Sequence, residues 1–248
     1  STAAALEPVP AKPVVELFTS QGCSSCPPAD RLLEKLAARD DVIALTQPVD
    51  YWDYLGWRDK FGKRAHTVRQ KHYAMMRRDG EIYTPQMVVN GRSAVIGSRK
   101  RDVAAAVDIA HERARASVAL ELGLILSSGE IRVTGKTPEQ SGGLMGASVW
   151  LLAVKTRAPV TIRAGENRGA KITYVNVVRR MTKLGTWSGE RFTHTADAAL
   201  CTTADDDSPV DGCVVIVQVG DHGAILGARA LPSLFADGPF TVAGSAGG

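Results

Sequence analysis

The apolar run Val14-Val15-Glu16-Leu17-Phe18, the turn-forming Ser20-Gln21-Gly22 and Cys23-Ser24-Ser25-Cys26, followed at once by Pro27-Pro28, leave few ways for this chain to begin folding. The run has the length of a buried strand, and Ala29, Leu32, Leu33, Leu36 and Ala37 recur on one helical face behind the prolines. Two prolines fit a first helical turn, where no intrahelical N–H is required. The predicted unit is strand, tight turn, two cysteines, helix. A helix N-terminus favours a thiolate, which makes Cys23 the exposed, attacking thiol and Cys26 the resolving one. The same CxxC spacing serves zinc sites and static bridges, so those readings stand beside the redox one.

A second constraint comes from Thr84-Pro85-Gln86-Met87-Val88-Val89-Asn90-Gly91, where a proline heads a short apolar strand that turns into another, Ser93 to Ile96. Proline cannot donate to a central ladder and belongs at a strand's first position, where a cis bond is accommodated. Strand, CxxC, helix, strand, Thr-Pro step, hairpin and final helix together resemble the thioredoxin-like superfamily over residues 14 to 116. The stretch Val14 to Asp30, with Gly165-Glu166-Asn167-Arg168-Gly169 and Asn176-Val177-Val178, is similar to a bacterial family of secreted proteins classed as a domain of unknown function.

The thioredoxin-like resemblance implies a thiol-disulfide oxidoreductase working through a mixed disulfide on protein thiols, with Thr84 and Pro85 across the cysteines to receive a peptide. It also implies Glu16 as carrier of the resolving proton, one residue off the usual spacing; the other reading is a buried acid paired to Arg or Lys. Gly22 in place of tryptophan, and Ser-Ser in place of Gly-Pro, separate the chain from thioredoxin itself. The second functional class is a noncatalytic binding or scaffolding protein whose CxxC is a static bridge, or a copper- or zinc-binding thiol protein.

At 248 residues and 44% hydrophobic content the chain can bury two cores. The expected order is α/β followed by β: a flexible leader over 1–13, rich in small residues and proline, a thioredoxin-like domain over 14–116, a β-sandwich-like domain over 117–242, and a small-residue tail over 243–248. Helices are expected from Phe61 to Arg78 and from Arg99 to Arg115. In the second half strands are expected near 118–122, 130–134, 147–154, 171–181, 213–219 and 224–230. A net charge of +4 implies no nucleic-acid partner, no stretch has the length of a membrane-spanning helix, and no signal peptide is expected within this chain. Cys201 and Cys213 bracket a polar loop and read as a structural bridge. Four cysteines in two pairs point to an oxidising compartment, periplasmic or extracellular.

Asp50-Tyr51-Trp52-Asp53-Tyr54-Leu55-Gly56-Trp57 follows the second strand, at the sheet end that carries the CxxC. It offers Tyr51, Trp52 and Asp53 as a substrate groove, with packing as the other role of Trp52 and Trp57. On the helix that follows, Phe61, Ala65, Val68, His72, Met75 and Met76 form an apolar stripe, and the basic residues a solvated face. His72 and the methionines allow a copper reading with the CxxC, but the stripe explains them without metal. His66, His111, His194 and His222 lack ligand spacing. Asp205-Asp206-Asp207 with Asp211 lacks the ligand order of an EF-hand loop. Neither metal nor cofactor is expected.

Overall fold

The computed structural model describes residues 12–116, 120–127, 129–136 and 146–231. The expected tail, and the expected leader apart from residues 12 and 13, lie outside them. The first half runs β1 (Val14–Thr19), α1 (Pro27–Ala37), β2 (Ile43–Pro48), α2 (Arg64–Arg77), β3 (Gln86–Val89), β4 (Ser93–Ile96) and α3 (Lys100–Ala116). The second half runs β5 (Glu121–Ser127), β6 (Glu130–Lys136), β7 (Ala147–Thr161), β8 (Lys171–Trp187), β9 (Phe192–Asp197), α4 (Ala199–Thr202), β10 (Gly212–Val219) and β11 (Ile225–Leu231).

One mixed sheet crosses the molecule in the order β11-β10-β7-β8-β2-β1-β3-β4, and a smaller sheet has the order β5-β6-β9. β1 is parallel to β2 and antiparallel to β3, and β3 turns into β4 at Asn90 and Gly91, whose φ angles are 49° and 65°. The halves join where Thr46 of β2 pairs in parallel with Val177 of β8. Around that single rung the Thr46 hydroxyl donates to Val175 O and the Asn176 amide to Ala44 O, so side chains continue the ladder.

Alternation along β1 sorts the layers. Val15 and Leu17 face α1 and α3, packing with Leu33, Leu36, Val103 and Val107. Each such aliphatic side chain contributes about 1.5–3 kcal/mol on burial. Glu16 and Phe18 face the other way, toward Arg69 and Tyr73 of α2. In the second half, Leu122, Leu124, Ile131 and Val133 of the small sheet cover Val149, Leu151, Val215 and Val217 of the large one. The disulfide Cys201–Cys213 is sealed in this core.

α2 corrects the expected stripe. Its buried face is His66, Thr67, Arg69, Gln70, Tyr73 and Ala74, while Met75 and Met76 are 69% and 59% exposed and Val68 also faces outward. The buried carboxylate of Glu16 requires a cation, and Arg69 supplies it through two nitrogens at 2.7 and 3.1 Å. That pairing turns the apolar side of the helix to solvent. β7 and β8 also run longer than expected, as a twisted ribbon with bulges near Val149 and Ala153 that carries its connecting loop to the CxxC. β9 was not expected from the sequence, because its Thr193-His194-Thr195 core lacks apolar alternation.

Candidate functional site

The cysteines stand where β1 hands over to α1. Cys26 is the N-cap of α1, and its carbonyl accepts from Ala29 and Asp30 N–H, with Pro27 and Pro28 in the first turn. Cys23 and Cys26 form a disulfide with Cα atoms 5.4 Å apart. The Ser25 hydroxyl lies 3.5 Å from Cys23 Sγ. Ser24 and Ser25 face solvent, but Cys23 is only 4% exposed and Cys26 is fully buried. Cys23 was expected outside, and the structure corrects this.

Two remote segments pack against the CxxC turn. The loop 162–170 between β7 and β8 turns at Gly165 and Gly169, with φ of 74° and 88°. From it the Asn167 amide donates to Gln21 O at 2.9 Å and to Cys23 O at 2.7 Å. The loop is both a turn and a contact between the halves, and Asn167 makes that contact. On the other side Trp52 closes against Gly22, where an added Cβ would stand 3.1 Å from Trp52 O and 3.2 Å from Trp52 Cβ. A side chain at residue 22 would therefore crowd a tryptophan from elsewhere in the chain.

The Thr84–Pro85 peptide is cis, and Pro85 O accepts from Gly97 N–H at 2.9 Å. The Trp52 indole N–H donates to Thr84 Oγ1 at 2.7 Å, so one side chain spans from the CxxC turn to the proline step. Tyr51 donates to Gln70 Oε1 at 3.1 Å, and burial pushes its hydroxyl up to about 12. Asp53 accepts from Asp59 N–H at 3.0 Å. All three proposed groove residues are thus engaged in structure, and the outward ring is Tyr54, 76% exposed and stacked on Trp52 with centroids 6.5 Å apart.

Glu16 sits on the sheet face opposite α1, which corrects its placement beside the cysteines. Arg69, Tyr73 and Gln47 all donate to it. Burial alone would raise its pKa, but the Arg69 charge and these hydrogen bonds hold it below the ordinary value. This is the paired-acid reading, realised with Arg69.

The acid on the α1 side is Asp30, which the sequence reading passed over. It lies one helical turn beyond Cys26, on the face that leans back toward the helix N-terminus. Thr19 donates to Oδ1 at 2.8 Å, and Oδ2 is buried with no partner among the described residues. Burial, aided by the negative charge of Asp59, pushes Asp30 up to about 8. Asp59 accepts from Gln21 N–H and from the Gln21 amide at 2.9 and 2.8 Å, and burial moves it up to about 6. Tyr174 Oη, electrostatically coupled to both acids, is a second buried atom without a partner among the described residues. The one available clue was polarity on the buried face of an amphipathic helix.

Both cysteine pairs are in the oxidised, bridged state. Asp205 is held by Lys63 and Arg180 and Asp206 by Arg179, so the acidic loop is neutralised by protein cations. Among the described residues no group of three or more His, Cys, Asp or Glu could hold an ion.

The family model described as protein of unknown function (DUF1223) matches residues 14–218. The chain belongs to this family. A protein of Agrobacterium tumefaciens known from its X-ray crystal structure is 32% identical, with 89% of this chain and 94% of that one covered at a TM-score of 0.75. HBP35 of Porphyromonas gingivalis shares 16% identity over 93% of this chain and 77% of its own, at a TM-score of 0.57, a likeness of fold. No curated protein matches. The DUF1223 match spans the CxxC, the Thr84–Pro85 step and the Asn167 loop, which Trp52 and Asn167 link by packing and hydrogen bonds. Among the described residues no helix is long and apolar enough to cross a membrane.

Proposed function

We propose that this DUF1223 protein is an exported thiol-disulfide oxidoreductase whose Cys23–Cys26 pair exchanges with protein thiols and disulfides. The observation that carries the reading is a CxxC at the N-terminus of α1 with a buried, half-satisfied carboxyl, Asp30, one turn inside. Residues 14–116 are assigned a thioredoxin-like fold, supported by helices on both faces of β1–β4 and by the proline at the head of β3. Residues 117–242 are assigned a β-sandwich-like domain, supported by the small sheet packed on β7 and β10. Two bridged cysteine pairs support a periplasmic or extracellular setting.

In the oxidised protein an incoming thiolate attacks Cys23 Sγ. The Cys23–Cys26 bond breaks, the mixed disulfide forms on Cys23, and Cys26 leaves as a thiolate. Asp30, protonated at neutral pH, supplies the proton that thiolate takes up. A second substrate thiolate then attacks its partner sulfur in the mixed disulfide, so that the substrate is oxidised to a disulfide and Cys23 is released reduced. Reversal of the same steps reduces a substrate disulfide, with Asp30 carboxylate accepting the Cys26 proton. Thr84 and Pro85 would receive the substrate backbone and Tyr54 an apolar side chain, while Trp52, Tyr51 and Asp53 position that surface.

The static-bridge reading has one observation of its own, the 4% exposure of Cys23 under the Asn167 loop. Equilibration in glutathione buffers with acid-trapped alkylation separates the two. A redox-active pair titrates between about −120 and −270 mV, and Cys23→Ser abolishes exchange with a protein disulfide. A midpoint below about −300 mV, with exchange indifferent to Cys23→Ser, overturns the oxidoreductase reading.

A further inference from the structure

At the half-buried border of α2, His72 meets His222 of the turn between β10 and β11. His72 Nδ1 and His222 Nε2 are 3.1 Å apart, with ring centroids at 4.1 Å and planes inclined by 45°. Each imidazole has the other as its hydrogen-bond partner among the described residues. Met75 and Met76 follow His72 by three and four positions and are the most exposed large hydrophobic side chains of the helix. Side chains at those offsets share the face of His72, and helical side chains lean toward the N-terminus, which brings both thioethers within reach of the His72 turn.

The adjoining carboxylate is paired to a protein cation through Oδ1. Asp221 accepts from the Ser148 hydroxyl at 2.6 Å and from Lys183 at 2.7 Å. What remains is two imidazoles and two thioethers, a donor set that selects a soft monovalent ion. A metal about 2 Å from each ring nitrogen spans the existing gap with a small opening of the rings. The proton now shared between the facing nitrogens then moves to the outer nitrogen of the ring that carries it, so no proton need be lost.

We propose that His72 and His222, completed by Met75 or Met76, form a Cu(I) site independent of the CxxC. His222 escaped the sequence reading because it lies 150 positions from His72, and coordination spacing is visible along a chain only within one segment.

The test is anaerobic competition of the Cys23→Ser/Cys26→Ser protein against bicinchoninate-bound Cu(I), which removes the thiols as ligands. One equivalent is expected to bind, and imidazole NMR signals of His72 and His222 are expected to shift together. His72→Gln, His222→Gln and the double variant Met75→Leu/Met76→Leu should each weaken binding by more than about 100-fold, beyond what loss of a supporting residue costs. Circular dichroism confirms that each variant is folded. Absence of competition, retained affinity in either histidine variant, unmoved imidazole signals, or affinity unaffected by loss of both methionines overturns the site.

Discussion

Replacing Asp30 by Asn tests the buried carboxyl directly, because the side chain keeps its shape and loses its titration. A carboxyl moved from an ordinary 3.8 up to about 8 costs nothing below pH 4, where the folded and unfolded chains both hold the proton. Between pH 4 and 8 the unfolded chain releases it and the folded chain does not, so stability falls by up to about 1.4 kcal/mol per pH unit. Across the gap from 3.8 to pH 7 this amounts to roughly 4 kcal/mol, a large part of a typical 5–15 kcal/mol stability. Above pH 8 the cost is complete. The Asn amide at the position of the unpartnered Oδ2 brings a pH-independent loss of about 1–3 kcal/mol. Asp30→Asn is therefore expected to be less stable than the parent at pH 4 and more stable at pH 8, the curves crossing between. Urea unfolding at each pH with disulfides intact measures this. A stability difference that stays constant from pH 4 to 8 refutes the reasoning.

Glu16→Gln leaves the Arg69 guanidinium buried without its counter-charge and should cost about 3–5 kcal/mol at pH 7, read by urea midpoint; an unchanged midpoint shows that the pair carries no stability. Gly91→Ala places a Cβ 2.4 Å from Gly223 O at a φ of 65°, and should lower the melting temperature by several degrees for each kcal/mol lost. Asn167→Ala removes both hydrogen bonds onto the Gln21–Cys23 turn and should speed reduction of Cys23–Cys26 by a small thiol, followed by timed alkylation. An unaltered rate means the loop does not limit access.

The strand into CxxC into helix was legible in the sequence because its causes are local: a short apolar run, a Ser-Gln-Gly turn, prolines suited to a first turn and a one-sided apolar face. The hairpin at Asn90-Gly91 was legible for the same reason, and so were most strands of the second half, each bounded by its own turn residues. The orientation of α2 was not, since Arg69 turns inward to meet a carboxylate fifty-three positions earlier, and periodicity cannot weigh an ion pair with a distant partner. Nor were the covering of Cys23 by Asn167, the raised pKa of Asp30 or the meeting of His72 with His222. Backbone preferences act between neighbours in the chain, and they laid down the elements. Burial and charge act between neighbours in space, and packing of the two halves assigned each polar residue its chemistry.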